Sequence, residues 1–221
     1  YVIEASKDID YLNGVSTLDL VKIQRHILGL EDLDSPYKLI AADINADNKI
    51  KASDLSQLRK LILGVITDLP TNDSWRFVDA DQALTLDLDL EDVNYAIELT
   101  NVTNDLMSND MVGVKIGDIN ESASTNSFST VEVRTVGELI LTSTDAGLTA
   151  GERHRVDISA TAFNDVSGMQ FSLAHEGLTL IDIESAALEF SELNYITRED
   201  ITSVSWSNSE QISSQDVLFT I

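Results

Sequence analysis

The chain has 221 residues, of which 38 are Asp or Glu and 14 are Lys or Arg, so its formal net charge at pH 7 is -24. Such an acidic surface repels nucleic acid and anionic membranes, which argues against both as partners and favours cations. Because the sequence contains no cysteine, disulfides, thiolate metal sites and a cysteine nucleophile are excluded. The length and the 43% apolar content predict two folded domains.

The first predicted elements are an acidic loop at residues 8–19 and an amphipathic helix directly after it. A calcium loop supplies oxygens from positions 1, 3 and 5, from the backbone carbonyl at position 7 and from a carboxylate at position 12. The candidate ligands here are Asp8, Asp10, the Gly14 carbonyl and Asp19. Position 5 is Leu12, which has no side-chain oxygen, so we expect a weaker calcium site. A degenerate copy that is kept only for its helix remains an alternative.

The same loop recurs 35 residues later, at 43–54, and here the ligand spacing is complete. Its candidate calcium ligands are Asp43, Asn45, Asp47, the Lys49 carbonyl and Asp54. Position 6 is Asn48, which adopts a left-handed backbone more readily than most residues. In both copies the apolar residues after the loop fall at helical spacing, and a glycine follows, Gly29 or Gly64. The repeat therefore predicts two loop–helix units packed antiparallel.

Residues 66–121 predict a strand at 75–78, a short helix at 93–99 and a strand at 112–116. Between them, acidic residues at 79–92 alternate with leucines, as in an amphipathic strand with a wet face. The tripeptide Asp118-Ile119-Asn120 begins like another calcium loop, but no helix follows it, so we expect the end of a strand. The polar run at 122–130 predicts a linker between domains at 1–121 and 131–221.

The period of the apolar residues changes to two after the linker. Strands are predicted at 138–142, 154–159, 169–173, 178–183, 204–206 and 217–219. Short strands separated by turn residues favour an all-β sandwich, and we expect it to be incomplete at residue 221. Since the chain opens on Tyr1 and stops within an apolar run, we also expect it to be a piece of a longer protein.

The paired loop–helix units, with a carboxylate at position 12 and no clear helix entering either loop, resemble a type I dockerin. The β region is similar to a cohesin domain in the segments 150–152, 167–173 and 204–207. The expected fold class is therefore multidomain: an α-helical dockerin-like module of paired F-hand calcium loops plus an all-β cohesin-like sandwich, incomplete at the C-terminus.

The resemblance implies Ca²⁺ as the cofactor and a cohesin-like or dockerin-like module as the protein partner. It also implies that loop positions 10 and 11 govern partner choice, which here are Thr17-Leu18 and Ala52-Ser53. The Ser-Thr pair familiar in dockerins is absent from both copies, so a cellulosome-type partner is not implied. The two modules could dock within one chain or head to tail between chains, giving a homo-oligomer or a filament.

We therefore expect a non-catalytic, calcium-stabilised adhesion or assembly module of a secreted or cell-surface bacterial protein. The histidines His26, His154 and His175 are scattered without a catalytic or zinc spacing, and no apolar run is long enough to span a membrane. Two alternatives remain open. One is a carbohydrate-binding or glycoside-hydrolase accessory fragment, in which Trp75 or Trp206 stacks on sugars. The other is a passive stalk spacer stiffened by calcium.

Overall fold

The chain forms two compact units, Tyr1–Thr125 and Asn126–Ile221, in a computed structural model that describes residues 1–100, 102, 109–125, 139–143 and 147–221. The first unit contains three helices and short strands, and the second is β-rich. Of the run expected as a linker, residues 122–125 belong to the first unit. Residues 126–130 lie outside the described residues, as does 131–138, where the expected β domain begins.

Helices α1 (Thr17–Ile27), α2 (Pro36–Ala42) and α3 (Ala52–Ile62) form the helical region. The first and third are the two predicted exit helices, which the structure confirms. Each has an aspartate in its first turn whose carboxylate accepts a hydrogen bond from the backbone three residues earlier: Asp19 from Ser16 and Asp54 from Lys51. Helix α2 enters the second loop, so the expectation that no helix enters either loop is wrong there. Its start is favoured by Ser35 as the cap and proline at the first position.

The apolar stripes of α1 and α3 pack into one core in the first unit. The residues that share it with almost no exposure include Leu20, Ile23, Ile44, Leu58, Leu61 and Ile119. Burying each such side chain stabilises the fold by about 1.5–3 kcal/mol relative to leaving it exposed. Because Ile44 and Ile119 lie in the same core as the helices, the segments that contain them are anchored beside each other.

Among the described residues of the first unit, two small antiparallel sheets accompany the helices. Strand β1 (Val2–Ile3) pairs with β3 (Ile97–Glu98), and β2 (Trp75–Asp79) pairs with β4 (Met111–Lys115). The strands predicted near 75–78 and 112–116 are confirmed. The helix expected at 93–99 is wrong, because this segment pairs with the start of the chain, where the Leu99 backbone N–H donates to the Tyr1 carbonyl.

The alternating leucines of 84–90 do not form the expected strand. Leu86 is 57% exposed while Leu90 is buried, so these side chains do not share one buried face. The segment instead ends in a single 3₁₀ turn at Leu90–Asp92. An alternation of apolar and acidic residues is therefore a loop here, in which Leu90 is buried in the core and Leu84 and Leu88 pack against it.

In residues 139–143 and 147–221, the described part of the second unit, antiparallel strands form two sheets. In chain order the strands are β5 (Leu141–Ser143), β6 (Asp157–Ala160), β7 (Phe163–Ala174), β8 (Glu184–Ser185), β9 (Tyr195–Arg198), β10 (Ile201–Ser214) and β11 (Phe219–Thr220). The sheet orders are β7-β10-β9 and β5-β6-β11-β8. Both sheets contribute to one apolar cluster, in which the rings of Phe171 and Phe219 stack 6.1 Å apart. The strand expected at 178–183 is absent, since Leu178 and Ile181 are exposed and only Ile183 is buried.

Candidate metal centre

The second loop folds around the carboxylate of Asp43, its first residue. One oxygen, Oδ1, accepts a hydrogen bond from the Asp47 backbone N–H at 3.0 Å. The other oxygen, Oδ2, accepts from the Asn48 backbone N–H at 3.0 Å. The φ angles of Ala46 and Asn48 are 57° and 62°, so asparagine at position 6 adopts the left-handed backbone that the sequence predicts for it. Backbone N–H groups of the loop therefore hold the chain around the Asp43 carboxylate.

The carboxylate of Asp54, at position 12, closes the other side of the same loop. Its Oδ1 accepts from the Asn45 backbone N–H at 3.1 Å, and its Oδ2 accepts from the Lys51 backbone N–H at 2.9 Å. Asn72 holds the loop from outside, donating from its side-chain amide to the Asp43 carbonyl at 2.9 Å. Hydrogen bonds thus join position 12 to positions 3 and 9, and position 1 to positions 5 and 6.

The electrostatics of this loop favour a bound cation. Asp54 is fully buried and Asp43 is 6% exposed. Burial raises the pKa of Asp43 above its ordinary value, and the neighbouring carboxylates of Asp54 and Asp47 raise it further. The third carboxylate of the loop, that of Asp47, pairs with the Lys51 ammonium, whose hydrogen bond lowers the pKa of Asp47. Buried carboxylates that repel one another are stabilised in their charged form by a divalent ion.

The donor set of the second loop fits calcium. It consists only of oxygens: three carboxylates, the Asn45 amide oxygen and the Lys49 carbonyl, which is the hard ligand set that Ca²⁺ prefers. Among the described residues, no three His, Cys, Asp or Glu side chains are arranged to hold a metal by themselves. That is compatible with a calcium loop, because part of its ligand set comes from asparagine and the backbone.

The first loop is built differently from the second. The Asp8 carboxylate accepts from the Ser74 backbone N–H at 2.8 Å, and hydrogen bonds from Tyr11 and then Ser74 lower its pKa. Asp10 is exposed, with a φ of 55°. None of these contacts of Asp8 reaches Asp19, so the assignment of Asp8 and Asp10 as calcium ligands stays a prediction of the sequence.

The buried carboxylate of Asp19 is surrounded instead by a segment from the far end of the first unit. Its Oδ2 accepts from the Ser16 backbone N–H at 2.8 Å. Its Oδ1 accepts from the backbone N–H groups of Ile119, at 2.8 Å, and Asn120, at 3.1 Å. Burial raises the pKa of Asp19 to about 6, and the negative charge of Asp118 contributes to the shift. This site, too, concentrates carboxylates away from water.

Residues 118–123 form a loop and not the expected strand end, because β4 stops at Lys115. The Asp118 carboxylate accepts from the Ser122 backbone N–H at 2.9 Å and from the Ala123 backbone N–H at 2.7 Å. The Ser122 hydroxyl donates to the Gly14 carbonyl at 2.9 Å. The available sequence signal was the repeated tripeptide, since Asp-Ile-Asn occurs at both 43–45 and 118–120.

The buried ammonium of Lys115 and a buried side-chain oxygen of Asn120 accompany the carboxylates of Asp19 and Asp118. The Lys115 ammonium is 5% exposed and donates to the carbonyls of Tyr11 and Ile116. Burial lowers its pKa to about 8, against the opposing effect of Asp118 and other acids. The side-chain oxygen Oδ1 of Asn120 is buried and has no hydrogen-bond partner. A buried oxygen without a donor is costly, and a cation would satisfy it.

The acidic residues of 79–92 are engaged in local turns. The Asp79 carboxylate accepts from the Asp81 backbone N–H, and the Asp89 carboxylate accepts from the Glu91 backbone N–H. Such contacts stabilise turns and leave most of the charge in water. This segment is accordingly an acidic surface.

The positions that the resemblance connects with partner choice differ in exposure. Thr17 is buried, whereas Leu18, Ala52 and Ser53 are exposed. The second copy therefore presents both of its positions to solvent, and the first copy presents one.

The family described as Dockerin type I domain matches residues 7–63, a range that contains both predicted loops and helices α1 to α3. No cohesin family is found for the β-rich remainder, and neither a curated protein nor a solved structure matches the chain. In the part of the chain that the structure describes, no helix is long and apolar enough to cross a membrane. Dockerin domains in general bind calcium and dock onto cohesin partners. Residues 7–63 are therefore a type I dockerin domain, which implies a calcium-dependent protein–protein assembly module.

Proposed function

We propose that this chain is a calcium-stabilised, non-catalytic module for extracellular adhesion or assembly. The observation that carries the proposal is the second loop, where a complete set of calcium-type oxygens stands at dockerin spacing. Its two end carboxylates, Asp43 and Asp54, are buried and held by the loop's own amides.

The loop residues connect metal binding to helix position. When bound, Ca²⁺ neutralises the clustered carboxylates and so removes their mutual repulsion. Asp43 directly follows α2, and Asp54 lies in the first turn of α3. Fixing these two carboxylates relative to each other therefore fixes the angle between the two helices. The same step holds Leu58 and Leu61 of α3 in the core shared with α1.

The docking partner in this proposal is a cohesin-like module, either on the same chain or on a neighbouring copy. Support comes from the β-rich second unit, whose two sheets share one apolar cluster, as the sheets of a sandwich do. Leu18, Ala52 and Ser53 are the exposed residues at the expected docking positions. A head-to-tail contact between copies would give an open filament if its rotation does not close.

A sugar-binding role has less support than assembly. Trp75 is 7% exposed and Trp206 is 2% exposed, so neither ring presents a face on which a sugar could stack. The Trp206 indole N–H donates to the Glu189 carbonyl. Both tryptophans thus serve the cores of their own units.

Two measurements on the complete chain test the proposal. Calorimetric titration with calcium chloride, with far-ultraviolet circular dichroism before and after chelation, should show binding and a gain of helix. Light scattering across a concentration series should show self-association with calcium and monomers with chelator. Absence of calcium binding would overturn the whole proposal, whereas a monomer at every concentration would overturn the self-assembly.

A matched pair of variants locates the docking surface. Ala52→Arg places a large charge on an exposed docking position at the start of α3, and Thr67→Arg places it on an exposed residue beyond that helix. We expect Ala52→Arg alone to weaken the calcium-dependent association, because burying an unpaired charge in an interface is costly. Equal behaviour of the two variants would place the contact elsewhere.

A further inference from the structure

We propose that the first calcium site of this unit is split along the chain, with its first half supplied by residues 118–123 and its second half by residues 14–19. The ligands would be the side chains of Asp118, Asn120 and Ser122, the carbonyl of Gly14 and the carboxylate of Asp19. This inference rests on the proposed calcium function and changes the residues that perform it. It replaces Asp8 and Asp10 by residues more than 100 positions away.

Asp118 makes the hydrogen bonds that the first residue of a calcium loop makes. In the intact second loop, the two carboxylate oxygens of Asp43 accept from the backbone of the residues four and five positions later. The two oxygens of Asp118 do the same with Ser122 and Ala123, four and five positions later. Asp118 therefore occupies position 1, and Ser122 occupies position 5.

Asp19 makes the hydrogen bonds that the twelfth residue of a calcium loop makes, but one of its partners lies in the distant segment 118–123. In the second loop, Asp54 accepts from the backbone of Lys51, at position 9, and of Asn45, at position 3. Asp19 accepts from Ser16, at position 9 of its own copy, and from Asn120. Asn120 is two residues after Asp118, so it stands where position 3 belongs.

The backbone of residues 118–123 also matches that of the start of the second loop. At position 4, Ala46 and Glu121 have φ angles of 57° and 58°. At position 2, Ile44 and Ile119 are both fully buried in the same core. The two loop starts are also joined directly, because the Gly117 backbone N–H donates to the Ala41 carbonyl at 2.9 Å. The segment that starts at Asp118 therefore repeats the backbone of the start of the second loop and lies beside it.

The interruption falls between Ala123 and Gly14. A Cβ atom on Gly14 would lie 2.6 Å from the backbone nitrogen of Ala123, so the two segments meet in direct contact. Asn13 pairs with Ser124 through two hydrogen bonds, from its side-chain amide to the carbonyl and from the Ser124 backbone N–H to its Oδ1. These contacts hold the two chain segments in the register of one continuous loop.

Two oxygens of the split site remain suited to a cation. Asn120 Oδ1 is buried without a hydrogen-bond partner, whereas the equivalent Asn45 Oδ1 accepts from the Asp47 backbone N–H. The Ser122 hydroxyl lies 2.9 Å from the Gly14 carbonyl, which brings the oxygens of positions 5 and 7 together. The missing oxygen at Leu12 is thereby supplied by Ser122, and every expected ligand position has an oxygen.

Calorimetric titration of the complete chain with calcium chloride distinguishes the split site from a continuous one. The wild type should bind two ions, and Asp43→Asn should retain only the first site. If the first site is split, Asp118→Asn should lower its calcium affinity by at least roughly 10–100-fold, which is the loss caused by removing an outer-shell partner of a metal ligand. Asp8→Asn should leave that affinity unchanged. The opposite result, in which Asp8→Asn weakens the first site and Asp118→Asn does not, overturns the inference alone. Absence of binding at both sites overturns the calcium function as well.

A measurement on the wild type keeps the inference testable if Asp118→Asn does not fold. Amide hydrogen exchange compares the backbone N–H groups of Ile119, Asn120, Ser122 and Ala123 with and without calcium. Because they donate to the two carboxylates of the split site, calcium should slow their exchange more than tenfold. Unchanged exchange there, with protection appearing at residues 8–12, would overturn the split site.

Discussion

The Asp19 carboxylate accepts a hydrogen bond from the backbone N–H of Asn120, which lies 101 residues later in the chain. Asp19 also accepts from Ser16 at the start of α1. One carboxylate therefore joins the start of the first dockerin helix to the end of the first unit. This contact closes a long loop, and ordering such a loop costs entropy whether or not a metal is bound. The helix start and the segment 118–123 should consequently form together.

Gly14→Ala should destabilise the first unit strongly. Gly14 has a φ of 77°, and a Cβ atom there would lie 2.6 Å from the Ala123 backbone nitrogen. The left-handed backbone alone costs a non-glycine residue about 1–2 kcal/mol, and the contact with backbone adds to it. Urea unfolding of calcium-free protein measures the difference in the free energy of unfolding.

Gly29→Ala is the matched control for that substitution. Gly29 also has a left-handed φ, of 66°, but a Cβ atom there would meet nothing within 4 Å. We expect a loss of about 1–2 kcal/mol, from the backbone alone. Equal losses for the two variants would contradict the close approach of Gly14 to residues 118–123.

Asp54→Asn should remove calcium stabilisation of the second loop. The substitution keeps the size of the side chain but removes one of the carboxylates that the ion neutralises. At free calcium about 100 times the dissociation constant, a site stabilises the folded state by about 2.7 kcal/mol, and this gain should be lost. Thermal unfolding with and without calcium measures it. The control is Asp68→Asn, on an exposed residue, which should retain the full calcium effect.

The sequence predicted the parts of this fold that depend on local patterns. Helices α1 and α3 follow from apolar spacing and from the glycines that end them, and the second loop follows from its complete ligand spacing. Strands β2 and β4 were also found, since their apolar runs lie between clear turns. For these elements the reasons lie within about a dozen residues, so the local pattern was sufficient.

The sequence could not reveal contacts between distant segments. The tripeptide Asp118-Ile119-Asn120 was visible, but the absence of a following helix made it look like a strand end. The helix that completes its geometry begins at Thr17, about 100 residues earlier. Likewise, Leu99 pairs with Tyr1 in place of continuing a helix. Pairings at such separations are set by tertiary packing, which a periodicity does not encode.

The two tryptophans allow calcium stabilisation to be assigned to one unit. Trp75 lies in the first unit and Trp206 in the second, and the chain has no others. In Trp206→Phe the remaining fluorescence reports the first unit, and its unfolding midpoint should rise with calcium. In Trp75→Phe it reports the second unit, whose midpoint should rise less, because calcium acts on that unit only through the proposed docking. A shift of equal size in both variants would contradict calcium binding confined to the first unit.

The two substitutions should also differ in their own effect on stability. Trp206 is buried, packs against Phe163 and donates its indole N–H to the Glu189 carbonyl. Its replacement by Phe should cost about 1–3 kcal/mol, from the lost hydrogen bond and the space left behind. The Trp75 indole nitrogen is buried without a partner, so its replacement removes an unsatisfied donor and should cost less. Urea unfolding followed by circular dichroism measures both.

The stability of calcium-free protein should carry a pH dependence from Asp19. Burial raises its folded-state pKa to about 6, above the ordinary value of 3.8. Between these values the folded state holds a proton that the unfolded state releases, so the contribution of Asp19 is complete below about pH 4 and is lost as the pH rises through 6. A difference of about two between the folded-state and unfolded-state pKa corresponds to about 3 kcal/mol.

Other carboxylates, such as Asp8 and Asp34, have lowered pKa values and oppose the fall in stability that Asp19 causes. The measurement is therefore the free energy of unfolding of wild type minus that of Asp19→Asn, which should fall by about 3 kcal/mol between pH 4 and pH 7. A difference that stays constant with pH would show that Asp19 is not protonated in the folded state, and would remove burial as a reason for this carboxylate to need a cation.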